Sequence, residues 1–270
     1  MSGGVDSSVA AARLVQEGHH VTGVTMQLLP EGDDAGGCCS TDALRSARRV
    51  CDTLGIAHHT LNMREVFRRD VIEPFVASYA AGATPNPCID CNQRMKFSHL
   101  LAKARTQGAD ALATGHYARV ATGLGGTRSL ERAADRGKDQ SYFLYRLTEP
   151  ALGHVLFPLG DVTKEWVRAE AGRLGLPSAT RPDSQEVCFI PQDPGSFVAE
   201  RRAEAGLPGP VVDESGKRVG VHRGVCRYTV GQRKGLHLAS GPWYVSEVRP
   251  RDNTVVVSRG VPATVERIAL

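Results

Sequence analysis

Seven residues at the head of the chain, Ser2-Gly3-Gly4-Val5-Asp6-Ser7-Ser8, combine the groups that hold a phosphate. Glycines let backbone approach an anion closely. Ser2, Ser7 and Ser8 add hydroxyls to the unpaired N–H groups of a helix start. Asp6 is placed to hold a Mg²⁺ ion bridging those phosphates. The pattern G-x-x-x-x-G-K-[ST] is absent and no lysine follows the glycines, which argues against γ-phosphoryl chemistry. A loop of this kind is expected to follow a buried strand, whereas only Met1 stands before it. A short apolar strand is therefore expected from translation upstream of Met1.

Thr84-Pro85-Asn86-Pro87-Cys88-Ile89-Asp90-Cys91-Asn92 carries the second kind of chemistry. Two prolines stiffen the segment and keep the residues before them out of helix. Cys91 is expected at the start of the next helix, where the dipole favours a thiolate. The pair reads as half a zinc site, with Cys38-Cys39 as the other half, or as a redox couple. A distant third thiol, Cys188 in Asp183-Ser184-Gln185-Glu186-Val187-Cys188-Phe189-Ile190, widens the choice. Burial alone would also account for a cysteine before Phe-Ile.

The 270 residues, 41% of them hydrophobic, suffice for one large or two modest domains. The net charge of +4 is too small to establish a polyanion partner, but its placement is uneven. Residues 217–251 hold eight Lys or Arg against Glu247 alone, so the rest of the chain is net negative. A basic module on a near-neutral one suggests nucleic acid, though solvated strand faces would give the same count. Seven cysteines, with no signal peptide and no long apolar run, indicate a cytoplasmic protein with reduced thiols and no membrane partner.

The elements that must position these groups alternate. Residues 7–17 read as a helix stopped by Gly18, and 21–29 as an apolar strand. A helix from Asp42 to Leu54 and a strand over 57–61 follow. Residues 64–81 have helical spacing, with Val66, Phe67, Val71, Phe75 and Val76 largely on one face. A helix over 92–106 leads to a strand over 110–114, and another helix covers 161–174. Gly123-Leu124-Gly125-Gly126-Thr127 is a hairpin tip. Such alternation predicts an α/β fold, a parallel sheet with helices on both faces and ligands at the carboxyl ends of its strands. From Pro208 onward hairpin patterns take over, over 211–219 and about a turn at Arg251-Asp252-Asn253. The boundaries expected are 1–198 for the catalytic domain, 199–262 for a smaller β-rich central domain, and 263–270 for the start of a further β-barrel.

SGGVDS resembles the PP-loop of the ATP pyrophosphatases (adenine nucleotide alpha hydrolase-like fold), which cleave ATP between the α- and β-phosphates. SGGVDSS, TPNPCIDCN, ATGHYAR, KDQSYFLYRL, DSQEVCFIP and YTVGQRKGL stand here in the order found in the tRNA-specific 2-thiouridylases. The resemblance covers essentially the whole chain. It implies ATP-dependent adenylation of the C2 oxygen of a wobble uridine, then sulfur transfer from a cysteine persulfide. By that resemblance Cys188 carries the persulfide and Cys91 is the nucleophile. ATP is held by Ser2, Gly3, Gly4, Val5, Asp6, Ser7, Ser8, Met26 and Gly115, with Mg²⁺ on Asp6. Contacts to tRNA come from Asn86, Pro87 and Cys88, from His116, from Lys138, Asp139 and Gln140, and from Arg233 and Lys234. The implied partners are a tRNA with a wobble uridine and a persulfide sulfur-carrier protein.

Plainer readings stand beside these. Core packing accounts for Met26, and a structural role for His116. An exposed polar turn accounts for 138–140. Cys88, Cys91 and Cys188 could instead hold a [4Fe–4S] cluster with an open iron. Cys38, Cys39, Cys51 and Cys226 read as incidental, Cys51 fitting a helix core. The alternatives for the whole chain are an ammonia-using synthetase, a thiolase for another tRNA base, and a truncated, inactive RNA-binding chain.

Overall fold

The glycines that open the chain start its first helix, Val5–Gln16, two residues ahead of the sequence expectation. Gly4 stands at its N-cap in extended conformation. The helix ends before Gly18, whose φ of +85° halts it. This computed structural model describes residues 1–30, 41–182, 187–190, 192–239 and 241–260. The chain divides into two compact units, Met1–Val71 with Pro87–Pro191, and Ile72–Asn86 with Gln192–Leu270.

In the first unit β1, Thr22–Gln27, and β2, Ala57–Asn62, pair in parallel from Thr22↔Ala57 to Gln27↔Asn62. The helix between them, Thr41–Leu54, buries Ala43, Ala47, Val50 and Cys51. Gly23 admits the Cys51 sulfur where a Cβ would collide with it. A second parallel pair joins β3, Leu112–Ala113, to β6, Val155–Leu156. Between these two in sequence, β4, Ala118–Thr122, and β5, Arg128–Arg132, form the expected antiparallel hairpin about 123–127. The α/β class and the parallel pairing are as expected. Among the described residues, however, the parallel strands form two separate pairs, not one continuous sheet. Met1 lies alongside β1: its amino group donates to Val24 O, and its carbonyl accepts from Thr25 Oγ1 at 2.8 Å.

One core cluster packs Val5, Val9 and Ala12 against Tyr117, Leu159, Val167 and Ala171. It fixes Val5–Gln16 against the helix Lys164–Arg173. The second cluster, with Phe97, Leu101, Ala118, Leu144 and Leu152, lies under the hairpin.

The helix expected over 161–174 begins only at Lys164, after the Thr163 cap, and two others are wound differently from expectation. The run expected over 64–81 is wound as Arg64–Phe67, a π turn Arg68–Ile72, and Glu73–Ala80. Pro74 has no N–H to give the carbonyl four residues back, and the turn widens there. The helix expected from Asn92 starts earlier, at Pro87: Pro87–Asp90, a π stretch Cys91–Leu100, then Leu101–Thr106. Proline at a first helical position lacks only an N–H that would be unpaired anyway.

In the second unit four strands lie in the order β8-β7-β10-β9: β7 Gly209–Asp213, β8 Arg218–His222, β9 Tyr244–Arg249 and β10 Thr254–Ser258. All pairs are antiparallel except β7–β10. Asn253, at φ +48°, turns β9 into β10. His222, fully buried, accepts from Gly224 N at 3.1 Å on Nδ1 and donates from Nε2 to Asn253 O at 2.8 Å. The helix Pro194–Ala199 packs Phe197 against Phe75, which brings 72–86 into this unit. No described helix is long and apolar enough to cross a membrane.

Candidate functional site

The phosphate loop is built by its own hydroxyls. Ser2 Oγ and Ser7 Oγ lie 3.1 Å apart, Ser2 N donates to Ser7 Oγ at 3.2 Å, and Ser7 Oγ donates to Gly4 O at 3.1 Å. Ser8 Oγ, fully buried, donates to Gly4 O at 2.8 Å, so this hydroxyl holds the loop and not a ligand. Val5 is buried too, which leaves its N–H as its means of meeting an anion. Gly3 sits at φ +70°, where an added Cβ would collide with the Ala43 carbonyl, and Ser46 Oγ donates to Gly3 O at 2.9 Å. No side chain fits at Gly3.

Asp6 is clamped. Lys164 Nζ donates to Oδ1 at 2.6 Å and to Oδ2 at 2.8 Å, and Tyr117 OH donates to Oδ1 at 2.9 Å. Oδ2 keeps a lone pair beyond the Lys164 bond. That suits a Mg²⁺ ion, which is usually bound through one or two carboxylates plus phosphates and keeps several waters. Lys164 escaped the sequence reading because its partner lies 158 positions away. A signal was present: a cation in the first turn of a helix opposes the dipole, and Thr163, which caps Trp166 N at 3.3 Å, marks that turn.

Gly115, after β3, presses on the same loop. A Cβ there would stand 2.7 Å from Asp6 C and from Ser7 N. Gly115→Ala should therefore displace the loop and weaken ATP binding by on the order of 10- to 100-fold. ATP titration by calorimetry checks it, and unchanged affinity would show that the loop yields without consequence.

His116 accepts or donates at Nδ1 to Thr114 Oγ1 at 2.8 Å, and its ring lies 5.9 Å from Phe97 and 6.1 Å from Phe157. Burial, with the Lys96 charge second, holds its pKa well below the ordinary 6.5. The unfolded chain accepts a proton near pH 6.5 that the folded chain refuses, so stability falls as pH drops below that value. His116→Gln should flatten this fall, and NMR titration should find the imidazole neutral at pH 6.5.

Asp139 and Gln140 are turned inward. Burial opposes ionisation of Asp139, but bonds from Ala133 N at 2.8 Å, Ser141 Oγ at 2.7 Å and Arg132 Nε at 3.3 Å outweigh it and lower its pKa. Gln140 Oε1 accepts from Tyr117 N at 3.1 Å. Lys138, beside them, is exposed. Met26 is half-buried at the end of β1.

The helix start at Pro87 corrects the expectation for Cys91. Cys88 is in the first turn and exposed, while Cys91 is one turn in and half-buried, so the dipole argument applies to Cys88. Pro87 is buried, and Asn86 and Cys88 offer the surface of that segment. Cys188, half-buried, sits in a turn closed by Ile190 N on Val187 O at 3.0 Å. That turn is anchored by Phe189, 5.6 Å from the Phe67 ring. Cys51 and Cys226 are buried, and burial pushes both thiols up. Cys38, Cys39 and residues 183–186 lie outside the described residues, as do 263–270. Among the described residues no group of three His, Cys, Asp or Glu side chains stands close enough to hold a metal ion.

In the second unit Arg233 and Lys234 are exposed on a turn that Gln232 closes, through Nε2 to Lys234 O at 3.0 Å. Arg233, His237 and Trp243 line an open cavity of about 370 Å³.

Two family patterns and several named relatives match this chain. The pattern described as tRNA methyl transferase HUP domain matches residues 1–192, and tRNA methyl transferase PRC-barrel domain matches 195–259. A tRNA-specific 2-thiouridylase MnmA of Carboxydothermus hydrogenoformans is 51% identical over 265 residues, 95% of this chain and 73% of that protein. The protein of the same name from Acidothermus cellulolyticus is 51% identical over 267 residues, again 95% and 73%. That of Thermobifida fusca is 49% identical over 274 residues, 99% of this chain and 74% of that protein. An NMN synthetase structure from Francisella tularensis aligns with a TM-score of 0.39 at 20% identity, over 68% of this chain and 63% of that one.

Proposed function

We propose, from the premise that this chain belongs to the family of the tRNA-specific 2-thiouridylases, that it replaces the C2 oxygen of a wobble uridine in tRNA with sulfur. The observation that carries this reading is 51% identity to such an enzyme over 95% of the chain. The matched family patterns carry a methyl-transfer name, whereas the relatives are named for thiolation. Methyl transfer from a sulfonium donor needs neither a phosphate loop nor paired thiols. Exchange of oxygen for sulfur uses both.

A uracil carbonyl is a poor electrophile because its oxygen leaves badly. In the proposed first step that oxygen attacks the α-phosphate of ATP and pyrophosphate departs. Ser2, Gly3, Gly4, Asp6 and Ser7 would meet the phosphates at the helix start, with Gly115 keeping the loop in place and Met26 beside the adenine. Mg²⁺ on Asp6 would neutralise charge on the departing group. The terminal sulfur of a persulfide on Cys188 then attacks C2, and AMP leaves with the former uridine oxygen. The Cys91 thiolate attacks the Cys188 sulfur and releases 2-thiouridine. The Cys91–Cys188 disulfide so formed requires a thiol reductant before the next turnover. Sulfur would reach Cys188 from a persulfide carrier protein.

Asn86, Cys88 and His116 are proposed to face the target base, which must be splayed from its loop for this chemistry. Lys138, Arg233 and Lys234 are proposed as phosphate contacts. Asp139 and Gln140, with bonds already made inside the protein, would act by shaping that turn. A cytoplasmic location follows from the reduced thiols and the substrate. The test combines the purified chain, an unmodified tRNA, ATP–Mg²⁺ and a persulfide donor. Nucleoside mass spectrometry should find 2-thiouridine, and its absence with an active donor would overturn the reading.

A further inference from the structure

Two large aromatic side chains on a turn bonded to the Cys91 helix are left in solvent. Tyr142 is 63% exposed and Tyr145 54% exposed, whereas Leu144 between them is buried and ties the segment to the core. The 3₁₀ turn Ser141–Leu144 puts the two rings 6.4 Å apart with only 31° between their planes. Phe143 braces Tyr142 edge-on at 5.4 Å.

The turn is fastened to the helix that carries Cys91. Asn92 Nδ2 donates to Phe143 O at 3.0 Å, and Arg146 Nη1 donates to Asp90 Oδ1 at 2.8 Å. Arg146 also lies 5.5 Å from the centre of the Tyr145 ring and donates to its hydroxyl at 3.0 Å. Arg94, half exposed, stands 3.9 Å from the same Asp90 carboxylate. Aromatic faces interleaved with guanidinium groups fit unpaired bases on a phosphate chain, since every base has a π-face and every link a negative charge.

We propose that Tyr142 and Tyr145, with Arg146, form a stacking platform for an unpaired nucleotide beside the target uridine in the RNA loop. This deepens the functional reading and rests on it. The platform would hold the neighbouring base while the target base turns toward Cys91.

The test measures binding of a fluorescent RNA stem–loop, with the target uridine in its loop, to the whole chain across a salt series. Tyr142→Ala and Tyr145→Ala should each weaken binding by about ten-fold, whereas the Tyr→Phe variants stay within about two-fold of wild type. The slope of affinity against salt should not change, because no phosphate contact is lost. ATP affinity, measured in parallel, should also hold. Alanine variants that bind the stem–loop as wild type does would overturn the platform and leave the functional reading intact. So would variants whose only defect is in binding a persulfide carrier, which would mark the surface as a protein dock. A wild-type chain that binds no stem–loop at all would overturn the functional reading as well.

Discussion

Cys188→Ala and Cys91→Ala should each reduce 2-thiouridine formation by about a thousand-fold or more, since in the proposed relay each removes a group that makes or breaks a bond to sulfur. Both residues are half-buried, Cys91 in a helix and Cys188 in a short turn, so a hydrogen in place of the thiol leaves packing nearly unchanged. In the proposed sequence the ATP-dependent step lies upstream of sulfur. Pyrophosphate release stimulated by tRNA should therefore survive in both variants as a single turnover. Cys88→Ala separates the relay from the cluster alternative. In a two-cysteine relay its effect is at most a few-fold, because Cys88 makes no bond to the moving sulfur. A three-thiolate cluster would lose activity with Cys88 as fully as with the others. Product surviving in Cys188→Ala would sink the persulfide assignment.

The second large effect concerns Asp6. Asp6→Ala should destabilise the first unit by about 3–5 kcal/mol, because it removes both carboxylate bonds to the buried Lys164 ammonium. The Lys164 side chain is 7% exposed and the Asp6 side chain 33% exposed, so the two deletions are not equivalent. Lys164→Met leaves a carboxylate that water can reach and that Tyr117 still bonds, so it should cost less, about 1–3 kcal/mol. The double variant should be more stable than the sum of the singles predicts, by roughly 1–3 kcal/mol. Urea denaturation followed by the first unit's signals measures all three. Simple additivity would mean that the pair is not coupled. Both single variants should also weaken ATP–Mg²⁺ binding, Asp6→Ala through the missing oxygen and Lys164→Met through its lost orientation.

Much of this was readable from sequence because it is local. The Ser-Gly-Gly-Val-Asp-Ser-Ser cradle depends on backbone freedom and hydroxyls within seven residues, and the structure builds it from those contacts. The hairpin about 123–127 and the parallel pairing of β1 with β2 likewise follow from turn residues and βα spacing. What could not be read depends on partners far along the chain. Lys164 acquires its meaning from Asp6, and Gln140 turns inward because Tyr117 offers its N–H. The helix start at Pro87 was obscured because a proline reads as easily as a loop as a first helical residue. Ile72–Asn86 belongs with the second unit through Phe75 and Phe197, a long-range pairing that helical spacing alone cannot reveal.

The central claim is that the uridine oxygen leaves on AMP while sulfur takes its place. Its most direct test uses tRNA carrying ¹⁸O at C2 of the target uridine, in a single turnover with ATP–Mg²⁺ and a persulfide donor. The account predicts one ¹⁸O atom in AMP for each 2-thiouridine formed, and none in pyrophosphate. Unlabelled AMP alongside thiolated tRNA, or label in pyrophosphate or inorganic phosphate, would contradict it.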